Sequence, residues 1–343
     1  MTSNQIVTVF GAYGHTGRFV VSELCNRGLT PILSGRDSHK LNALLAANGQ
    51  LEIRPASVDA TESLDQALAG AQAVINCAGP FAITAAPVID AALRARIPYL
   101  DVAAEVEVAA AAFEQYADRA RAAGILIVPS MAFYGGLADL LATAAMGDWP
   151  VADEICVAYA LSSWKPTSGT RATIQTSKQR RAGRRLVFSN HRLELRTDSA
   201  PIVEWTFPAP IGTQVVVGEF TTADSITISR HLRISEIRTY MTLSPLKDLS
   251  DPDLPPPAAV DESGRSSQTF LIEVVARLGK AERRAIARGR DIYAITAPIV
   301  AEATQRVANG RAKVTGVAPG GEIFDARDFL SSLCPSHLTV DFH

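Results

Sequence analysis

Three glycines near the start of the chain have the spacing of a phosphate-binding turn. Gly11, Gly14 and Gly17 follow a short apolar run, 6–10, and precede apolar residues at helical spacing. In a strand–turn–helix unit, such glycines allow a tight turn, close approach of the backbone to phosphates and close packing of the helix on the strand. The free N–H groups at the start of the helix then face the anion. The spacing is G-x-x-G-x-x-G rather than G-x-G-x-x-G, and a purely structural turn is the alternative.

We therefore predict a dinucleotide site whose pyrophosphate is held by this turn. The predicted contacts are seven consecutive residues: Gly11, Ala12, Tyr13, Gly14, His15, Thr16 and Gly17.

The residues after the second predicted strand bear on the choice between the two nicotinamide cofactors. NAD sites carry a carboxylate there for the ribose 2′-hydroxyl, whereas NADP sites use an arginine for the 2′-phosphate. This chain has Ser34, Gly35 and Arg36 at that place, with Lys40 one turn further on. Asp37 could instead point at a ribose hydroxyl, and an ion pair of Arg36 and Lys40 with Asp37 is the structural alternative. We predict NADP in preference to NAD.

Two more polar or glycine-containing turns follow predicted strands of the same sheet. Asp59 follows the third strand, and a turn rich in small residues follows the fourth. Because the carboxyl ends of parallel strands meet at one edge of a sheet, we expect both turns beside the glycines. The fourth turn contributes five predicted cofactor contacts: Asn76, Cys77, Ala78, Gly79 and Pro80.

Four residues are candidates for catalysis, each with a structural alternative. Asp101 and Glu105 end and follow the fifth strand, where a carboxylate acts as a general base, binds substrate or caps a helix. Tyr134 follows the sixth strand and could donate a proton, and Lys165 would reach the cleft from the second half of the chain.

The elements that position these residues alternate between strand and helix over the first 130 residues. Six nearly continuous apolar strands separated by helical segments predict a parallel sheet covered on both faces. From about residue 153, β-rich runs dominate, including 154–161, 185–195 and 268–278. The fold class is thus α/β, a Rossmann-type doubly wound parallel sheet with an inserted α+β domain that has a largely antiparallel sheet.

Composition narrows the class of protein further. The 343 residues are 47% hydrophobic and carry a net charge of −2, which gives no global signal for nucleic acid or an anionic membrane. The four cysteines are dispersed and the six histidines form no metal-binding spacing, so no metal site is predicted. Residues 1–4 begin no secretion signal, and we expect a cytoplasmic protein. The uncharged run 71–89 contains two prolines and is interpreted as strand, loop and helix rather than a membrane span.

The glycine turn, the Ser34–Asp37 segment and the Asn76–Phe81 turn together resemble the saccharopine dehydrogenase-like family of NADP-binding oxidoreductases. Two late segments, 289–297 and 316–330, resemble less-known members of that family. The resemblance implies that residues 1–133 form the dinucleotide-binding domain, completed by C-terminal helices in 290–343. Residues 134–289 would form the domain for substrate contacts and a homodimer interface.

The resemblance implies an NADP(H)-dependent oxidoreductase that transfers hydride to or from a small molecule. An imine, an amino acid or an enoyl thioester is the expected type of substrate. One alternative is an atypical short-chain dehydrogenase, although no tyrosine here has the lysine four residues on that those enzymes use. The other alternative is a non-catalytic NADP-binding sensor or scaffold.

Overall fold

The computed structural model describes residues 5–49, 51–312 and 314–343. The expectation that no secretion signal is present rests on residues 1–4, which lie outside the described residues.

The first part of the chain alternates between strands and helices. In order these are β1 (Ile6–Phe10), α1 (His15–Asn26), β2 (Thr30–Gly35), α2 (Ser38–Asn48), β3 (Glu52–Pro55), α3 (Thr61–Leu68), β4 (Ala73–Asn76), α4 (Phe81–Ala95), β5 (Tyr99–Asp101), α5 (Val106–Ala123), β6 (Leu126–Val128) and α6 (Gly136–Met146).

The second part is richer in strands, and the third returns to helices. The second part contains β7 (Ala152–Leu161), α7 (Ser168–Arg181), β8 (Arg185–Ser189), β9 (Arg192–Arg196), β10 (Ile202–Phe207), β11 (Gly212–Gly218), α8 (Asp224–Ser229), β12 (Ile234–Thr242), α9 (Leu243–Ser250), β13 (Thr269–Leu278) and β14 (Ala281–Arg290). The third part contains α10 (Thr296–Ala308), β15 (Gly316–Val317), α11 (Gly320–Ile323), α12 (Ala326–Leu333) and β16 (Leu338–Phe342).

The first sheet is entirely parallel and has the strand order β15-β6-β5-β4-β1-β2-β3. Its central strands are buried, because helices cover both faces and leave no solvated side. Side chains of α1 and α10 belong to one core layer, and those of α3, α4 and α5 belong to the other. The predicted Rossmann-type fold is confirmed. The two-residue strand β15 is too short to show as a pattern in the sequence.

The second sheet is mixed, with the path β10-β11-β12-β7-β13-β14-β16 and β8–β9 attached at β12. Its only parallel pair on this path, within the described chain, is β12 with β7. The β-rich run predicted over 185–195 forms the hairpin of β8 and β9, in which Asn190 and His191 take positive φ values of 51° and 64° and reverse the chain.

The last part of the chain contributes to both sheets. Helix α10 packs against α1, where Arg27 forms an ion pair with Glu302, and β15 joins the first sheet beside β6. The final strand β16, however, pairs antiparallel with β14 in the second sheet. Residues 290–343, whose helices are predicted to complete the dinucleotide-binding unit, thus also contribute to the second sheet the strand β16, which the sequence analysis did not identify.

Residues 129–136 carry the chain from the first sheet towards the second, and buried carboxylates hold both ends of this crossing. Ser130 has a φ of 55°, and its N–H donates to Asp101 at 2.7 Å. Gly135 has a φ of 92°, and its N–H donates to Asp224 at 2.5 Å. A Cβ on Gly135 would lie 2.7 Å from the carbonyl oxygen of Ser130, so this turn requires glycine.

The glycine turn after β1 is held together by close backbone packing. Gly11 has a φ of 86°, and its carbonyl oxygen accepts the N–H of Gly14 at 2.9 Å. A Cβ on Gly17 would lie 2.3 Å from that same oxygen, whereas a Cβ on Gly14 would lie 3.1 Å from it. Gly17 is thus required for the packing of α1 on β1, whereas a Cβ on Gly14 would meet the same oxygen in a milder contact.

We expect Gly17→Ala to lower the free energy of unfolding by about 1 to 3 kcal/mol, because the added methyl group collides with rigid backbone. The matched Gly14→Ala change should cost less than half as much. Chemical denaturation of the three proteins without added ligand measures the difference. Equal stability of the two variants would contradict the packing assigned to Gly17.

The buried carboxylate of Asp139 connects α6 with two other parts of the chain, the residues after α8 and the short helix α11. Nε2 of His231, which follows α8, lies 2.6 Å from Oδ1 of the fully buried Asp139 on α6. The other oxygen of Asp139 accepts the N–H of Gly321 in α11 at 2.6 Å. Burial alone would lower the pKa of His231, but the Asp139 carboxylate outweighs it and the pKa is raised.

We expect His231→Gln to remove a pH-dependent part of the stability. Because folding raises the pKa of His231, the folded chain holds the proton more tightly than the unfolded chain. This contribution is complete below about pH 6.5, the ordinary histidine pKa, and is lost as pH rises through the pKa of the folded state. At pH 6 the variant should lose about 1.5 to 3 kcal/mol of unfolding free energy.

The exposed His39→Gln change on α2 is the control, and it should leave the pH profile of unfolding as in the unmodified protein. A profile of His231→Gln parallel to that of the unmodified protein between pH 5 and 9 would show that the pair does not couple protonation to folding.

Candidate active site

One cavity of about 470 Å³ lies at the carboxyl ends of strands β1, β2, β3 and β4. Its opposite wall comes from the segment 164–173, which includes the start of α7, and from residues 292–296 before α10. The cavity therefore runs from the glycine turn to side chains that follow strands of the second sheet. Ligands of open parallel sheets bind at this edge.

The structure brings twelve of the seventeen predicted cofactor contacts to the wall of this cavity. These are Gly11, Tyr13, Gly14, His15, Thr16, Gly35, Arg36, Asp59, Cys77, Ala78, Gly79 and Pro80. The other five lie outside its lining: Ala12, Gly17, Ser34, Lys40 and Asn76.

The glycine turn has the features required to hold a pyrophosphate. Helix α1 begins at His15, and within the described chain no side chain caps it, so its first N–H groups stay available to an anion. Gly14 forms the N-cap and its missing side chain leaves the backbone open to close approach. Nε2 of His15 is buried without a hydrogen-bond partner among the described residues, and burial lowers the pKa of this imidazole. The residues present therefore fit a dinucleotide phosphate.

Arg36 and Asp37, the two residues after β2, have different surroundings. Arg36 is exposed and lines the cavity. Asp37 is the N-cap of α2 and accepts the N–H of Lys40 at 3.1 Å, while Lys40 Nζ lies 3.4 Å from its other oxygen. These bonds lower the pKa of Asp37, with the backbone N–H of Lys40 as the largest cause. The Asp37 carboxylate, which left the choice between NAD and NADP open, thus interacts with Lys40 of the helix that it caps.

Tyr13 and Gly35 form the wall next to Arg36. A Cβ on Gly35 would lie 2.7 Å from Cε1 of the Tyr13 ring, so the ring rests directly on the backbone at the end of β2. Lys40 Nζ lies 5.7 Å from the centroid of the same ring. This arrangement gives the cavity an aromatic side at the Arg36 end.

Asn76 and Asp101 shape the cavity from behind its wall. Asn76 Nδ2 donates to Tyr99 and to Thr84, both at 3.2 Å, and its Oδ1 accepts the N–H of Ala78 at 3.0 Å. Asp101 accepts the Tyr99 hydroxyl at 2.9 Å besides the Ser130 N–H. Both side chains are fully buried, and burial raises the pKa of Asp101. The geometry gives Asp101 a positioning role at the ends of β5 and β6.

Glu105 is a buried acidic residue that lines the cavity. Its Oε1 accepts the N–H of Phe81 at 3.0 Å, and its Oε2 is buried with no hydrogen bond of ordinary geometry among the described residues. Burial raises the pKa of Glu105 to about 7; the nearby Asp101 adds to the rise, while the Phe81 N–H and the Thr173 hydroxyl oppose it. A carboxyl group with this pKa exchanges protons near neutrality.

Tyr134 lines the cavity within a group of aromatic rings. Its ring stacks on Trp164 at 5.3 Å between centroids, and its hydroxyl is buried with no partner among the described residues. Burial, with the charge of Asp224, raises the pKa of Tyr134 well above its ordinary value. Tyr134 therefore stays protonated. Cys77 also lines the cavity, and burial raises the pKa of its thiol in the same way.

Lys165 is exposed and lies outside the cavity lining, so the structure does not bring it together with the other three catalytic candidates. Its backbone carbonyl, rather than its amine, reaches the site, where it accepts the Tyr293 hydroxyl at 3.4 Å.

Tyr293 is a site residue that the sequence analysis did not nominate. Its hydroxyl lies 3.2 Å from Trp164 Nε1 and 3.0 Å from the Thr170 hydroxyl, and its ring packs edge-on against His15 at 5.2 Å. It therefore connects the glycine turn with α7. The available signal was Asp291, whose carboxylate accepts the N–H of Tyr293 at 3.0 Å and fixes the turn before α10. An Asp two residues before an aromatic residue, just ahead of a helix, is a pattern visible in the sequence.

Curated relatives match part of the chain. It is 28% identical over 189 residues to an Arabidopsis thaliana protein named "probable mitochondrial saccharopine dehydrogenase-like oxidoreductase". It is also 28% identical over 152 residues to the Bos taurus saccharopine dehydrogenase-like oxidoreductase. These matches cover 50% and 39% of this chain, but 42% and 35% of the relatives. The chain thus matches less than half the length of these relatives.

The predicted cytoplasmic location is contradicted by the names of such relatives. The Arabidopsis protein is called mitochondrial, and a Caenorhabditis elegans relative, 28% identical over 150 residues, is called a lipid droplet localized protein. The match to the latter covers 40% of this chain and 35% of that protein. In the part of the chain that the structure describes, no helix combines the length and the apolar character required to cross a membrane.

The fold and the first domain have clear counterparts. The structure aligns with apo saccharopine dehydrogenase (L-Glu forming) from Saccharomyces cerevisiae at a TM-score of 0.69 and 11% identity, over 99% of this chain and 100% of that one. Residues 7–128 match the family model of the saccharopine dehydrogenase NADP binding domain, which supports a nicotinamide cofactor. The resemblance predicted from the motifs is confirmed: the chain has a saccharopine dehydrogenase-like fold, and residues 7–128 are similar to the saccharopine dehydrogenase NADP binding domain.

Proposed function

We propose that this protein is an NADP(H)-dependent oxidoreductase that transfers hydride to or from a small molecule. The observation that carries the proposal is the single cavity that has the glycine turn at one end and the buried acid Glu105 on its wall. A phosphate-binding turn and an acid–base group in one cleft are what a reductase requires. A binding protein or sensor has no need of the second feature.

The cofactor would be held by residues of the first domain. The α1 N-terminus and Gly14 would receive the pyrophosphate, and Arg36 the 2′-phosphate, because a guanidinium group offers paired donors to a phosphate. Tyr13 would contact the same end of the dinucleotide. When bound, NADPH supplies the hydride, and the protein supplies position and a proton.

Glu105 is the proposed proton donor for reduction. With a pKa of about 7 it is partly protonated at neutral pH, and its Oε2 forms no hydrogen bond of ordinary geometry among the described residues. Reduction of a C=O or C=N bond adds the hydride to carbon and one proton to the heteroatom; in an enoyl thioester the proton goes to the α-carbon. In the reverse direction the ionised carboxylate accepts that proton.

The domain boundaries and a homodimer stay predictions. We propose residues 1–133 as the cofactor-binding unit and 134–289 as the unit that contributes substrate contacts. For the homodimer, β10 at the edge of the second sheet exposes Ile202 and Val203, as an interface strand would.

We expect NADPH to bind at least tenfold more tightly than NADH. Arg36→Ala should remove this difference, because a charge-assisted hydrogen bond contributes about 1.5 to 3 kcal/mol. Titration of NADPH and NADH fluorescence measures both affinities. Asp37→Asn is the matched control and should keep the preference, because Asp37 is engaged with Lys40. Equal affinities in the unmodified protein would refute NADP as the preferred cofactor.

We expect the reduction rate to report the protonation of Glu105. A panel of ketones, imines and enoyl thioesters with NADPH identifies a turned-over compound by loss of absorbance at about 340 nm, the NADPH band. With that compound, kcat/KM should be constant below pH 7 and fall with rising pH above it, because the acid must be protonated. Glu105→Gln should lower kcat by about 100-fold or more and flatten this profile.

Glu107→Gln, which changes the same charge outside the cavity lining, should leave the profile unchanged. An NADPH-binding protein that turns over none of the panel favours the sensor alternative. An unchanged profile in Glu105→Gln would assign the proton to another group.

A further inference from the structure

Positively charged side chains are unevenly distributed over the cavity wall, and this limits the kind of substrate that the cavity can bind. Of the described residues that line it, Arg36 is the only lysine or arginine, and it lies at the end assigned to the cofactor. We call the part of the cavity away from the glycine turn and Arg36 the substrate half; its wall includes Glu105, Phe133, Tyr134, Trp164, Thr170, Ile292 and Tyr293. Within the described lining, the substrate half contains no cation that could pair with a carboxylate or phosphate of a substrate.

Three arginines of α7, the helix whose start borders the cavity, form their polar contacts outside the cavity. Arg171 donates to the carbonyl oxygens of Asp251 and Leu254, at 3.1 and 2.8 Å. Arg181 lies 2.8 Å from Glu107 in an ion pair. Arg180 donates to the carbonyl of Ala82 at 3.1 Å on the exposed side of α7. None of the three lines the cavity.

The N-terminus of α7 also borders the cavity but is already capped. The Thr167 hydroxyl accepts the N–H of Thr170 at 3.1 Å. The Glu105 carboxyl group lies close to Thr173 on the same helix, and once ionised it opposes any other anion there. The positive end of the helix dipole is thus offset by an acidic neighbour.

The polar groups of the substrate half are hydroxyl and carboxyl groups set among aromatic rings. Phe133 and Tyr134 pack edge to face at 4.9 Å, and Tyr134 stacks on Trp164. The Thr170 and Tyr293 hydroxyls are 3.0 Å apart. Such a wall satisfies one or two uncharged hydrogen-bonding atoms and otherwise buries apolar surface. A carboxylate placed here would lose its hydration without gaining an ion pair.

We propose that the substrate half binds an uncharged, mostly apolar carbonyl compound or its alcohol, and discriminates against substrates that carry carboxylates or phosphates. This inference rests on the proposed function, because it assigns the two ends of the cavity to cofactor and substrate. It separates this chain from any enzyme whose substrate is a polycarboxylate amino acid.

The test compares two ketones that differ only at one end. In 7-oxooctanoate a carboxylate replaces the terminal methyl group of 2-octanone. NADPH binding is first measured by fluorescence, and each ketone is then titrated into the NADP⁺-saturated protein at pH 8 by calorimetry and ligand-observed NMR. At this pH most Glu105 carboxyl groups are ionised, since their pKa is about 7. We expect 2-octanone to bind at least tenfold more tightly than 7-oxooctanoate.

Two matched variants of α7 add a cation inside or outside the cavity. Ser168 lines the cavity and is exposed at its edge, so Ser168→Arg should be tolerated and should strengthen binding of 7-oxooctanoate about tenfold. Gln175 is exposed on the same helix and outside the lining, and Gln175→Arg should leave both affinities unchanged. Thermal unfolding verifies that both variants are folded.

The outcomes separate this inference from the proposed function. A protein that binds NADPH but binds 7-oxooctanoate as tightly as 2-octanone, or does not bind 2-octanone, overturns the inference and leaves the function intact. A protein that fails to bind NADPH overturns the proposed function and the inference with it. The inference is supported if 2-octanone binds more tightly than 7-oxooctanoate and if Ser168→Arg, but not Gln175→Arg, reduces or reverses this preference.

Discussion

The passage of the chain from the first sheet to the second is the constraint on which the rest of the structure depends. Asp101 holds the start of this passage through the Ser130 N–H, and Asp224 holds its end through the Gly135 N–H. Both carboxylates are completely buried, and each accepts further hydrogen bonds from tyrosine hydroxyls, Tyr99 and Tyr159 respectively. A buried carboxylate is tolerated only when its lone pairs are satisfied in this way.

This constraint also sets the chemistry of the cavity. Between the two held ends, the passage places Phe133 and Tyr134 on the cavity wall. Asp101, four residues before Glu105, contributes to the raised pKa of the Glu105 carboxyl group. The side chains that fix the backbone and the side chain proposed to move a proton are thus electrostatically coupled, so Asp101 influences the site without touching its contents.

The parts of the site that could be predicted from the sequence are those that a local pattern determines. The order strand, glycine turn and helix places Gly11 and Gly14 at the cavity by covalent connectivity alone, and parallel strands bring Arg36 and Gly79 to the same edge. Spacing did not distinguish a glycine that faces a ligand from one that packs on backbone, as Gly17 does. The role of Asp37 was equally undetermined, since a cap and a ribose contact require the same residue type.

The residues that sequence reasoning missed or misplaced depend on contacts between distant segments. Tyr293 lies 123 residues from its partner Thr170, and no local periodicity indicates such a pair. Lys165 was nominated by residue type alone, but the turn that places its backbone at Tyr293 leaves its side chain in solvent. The β-rich run 185–195 gave no sign of the chain reversal between β8 and β9, because both arms of the hairpin have a similar composition.

The final strand β16 has a mechanical consequence. Since β15 belongs to the first sheet and β16 to the second, the strands that the structure describes are connected across the two sheets three times: from β6 to β7, from β14 to β15 and from β15 to β16. If the two sheets moved apart about a hinge, all three connections would have to bend together. Two domains joined by a single linker would have to bend only that linker. Ligand exchange is therefore expected through the existing mouth, where Ile83 is 56% exposed on the cavity rim, rather than through separation of the two halves.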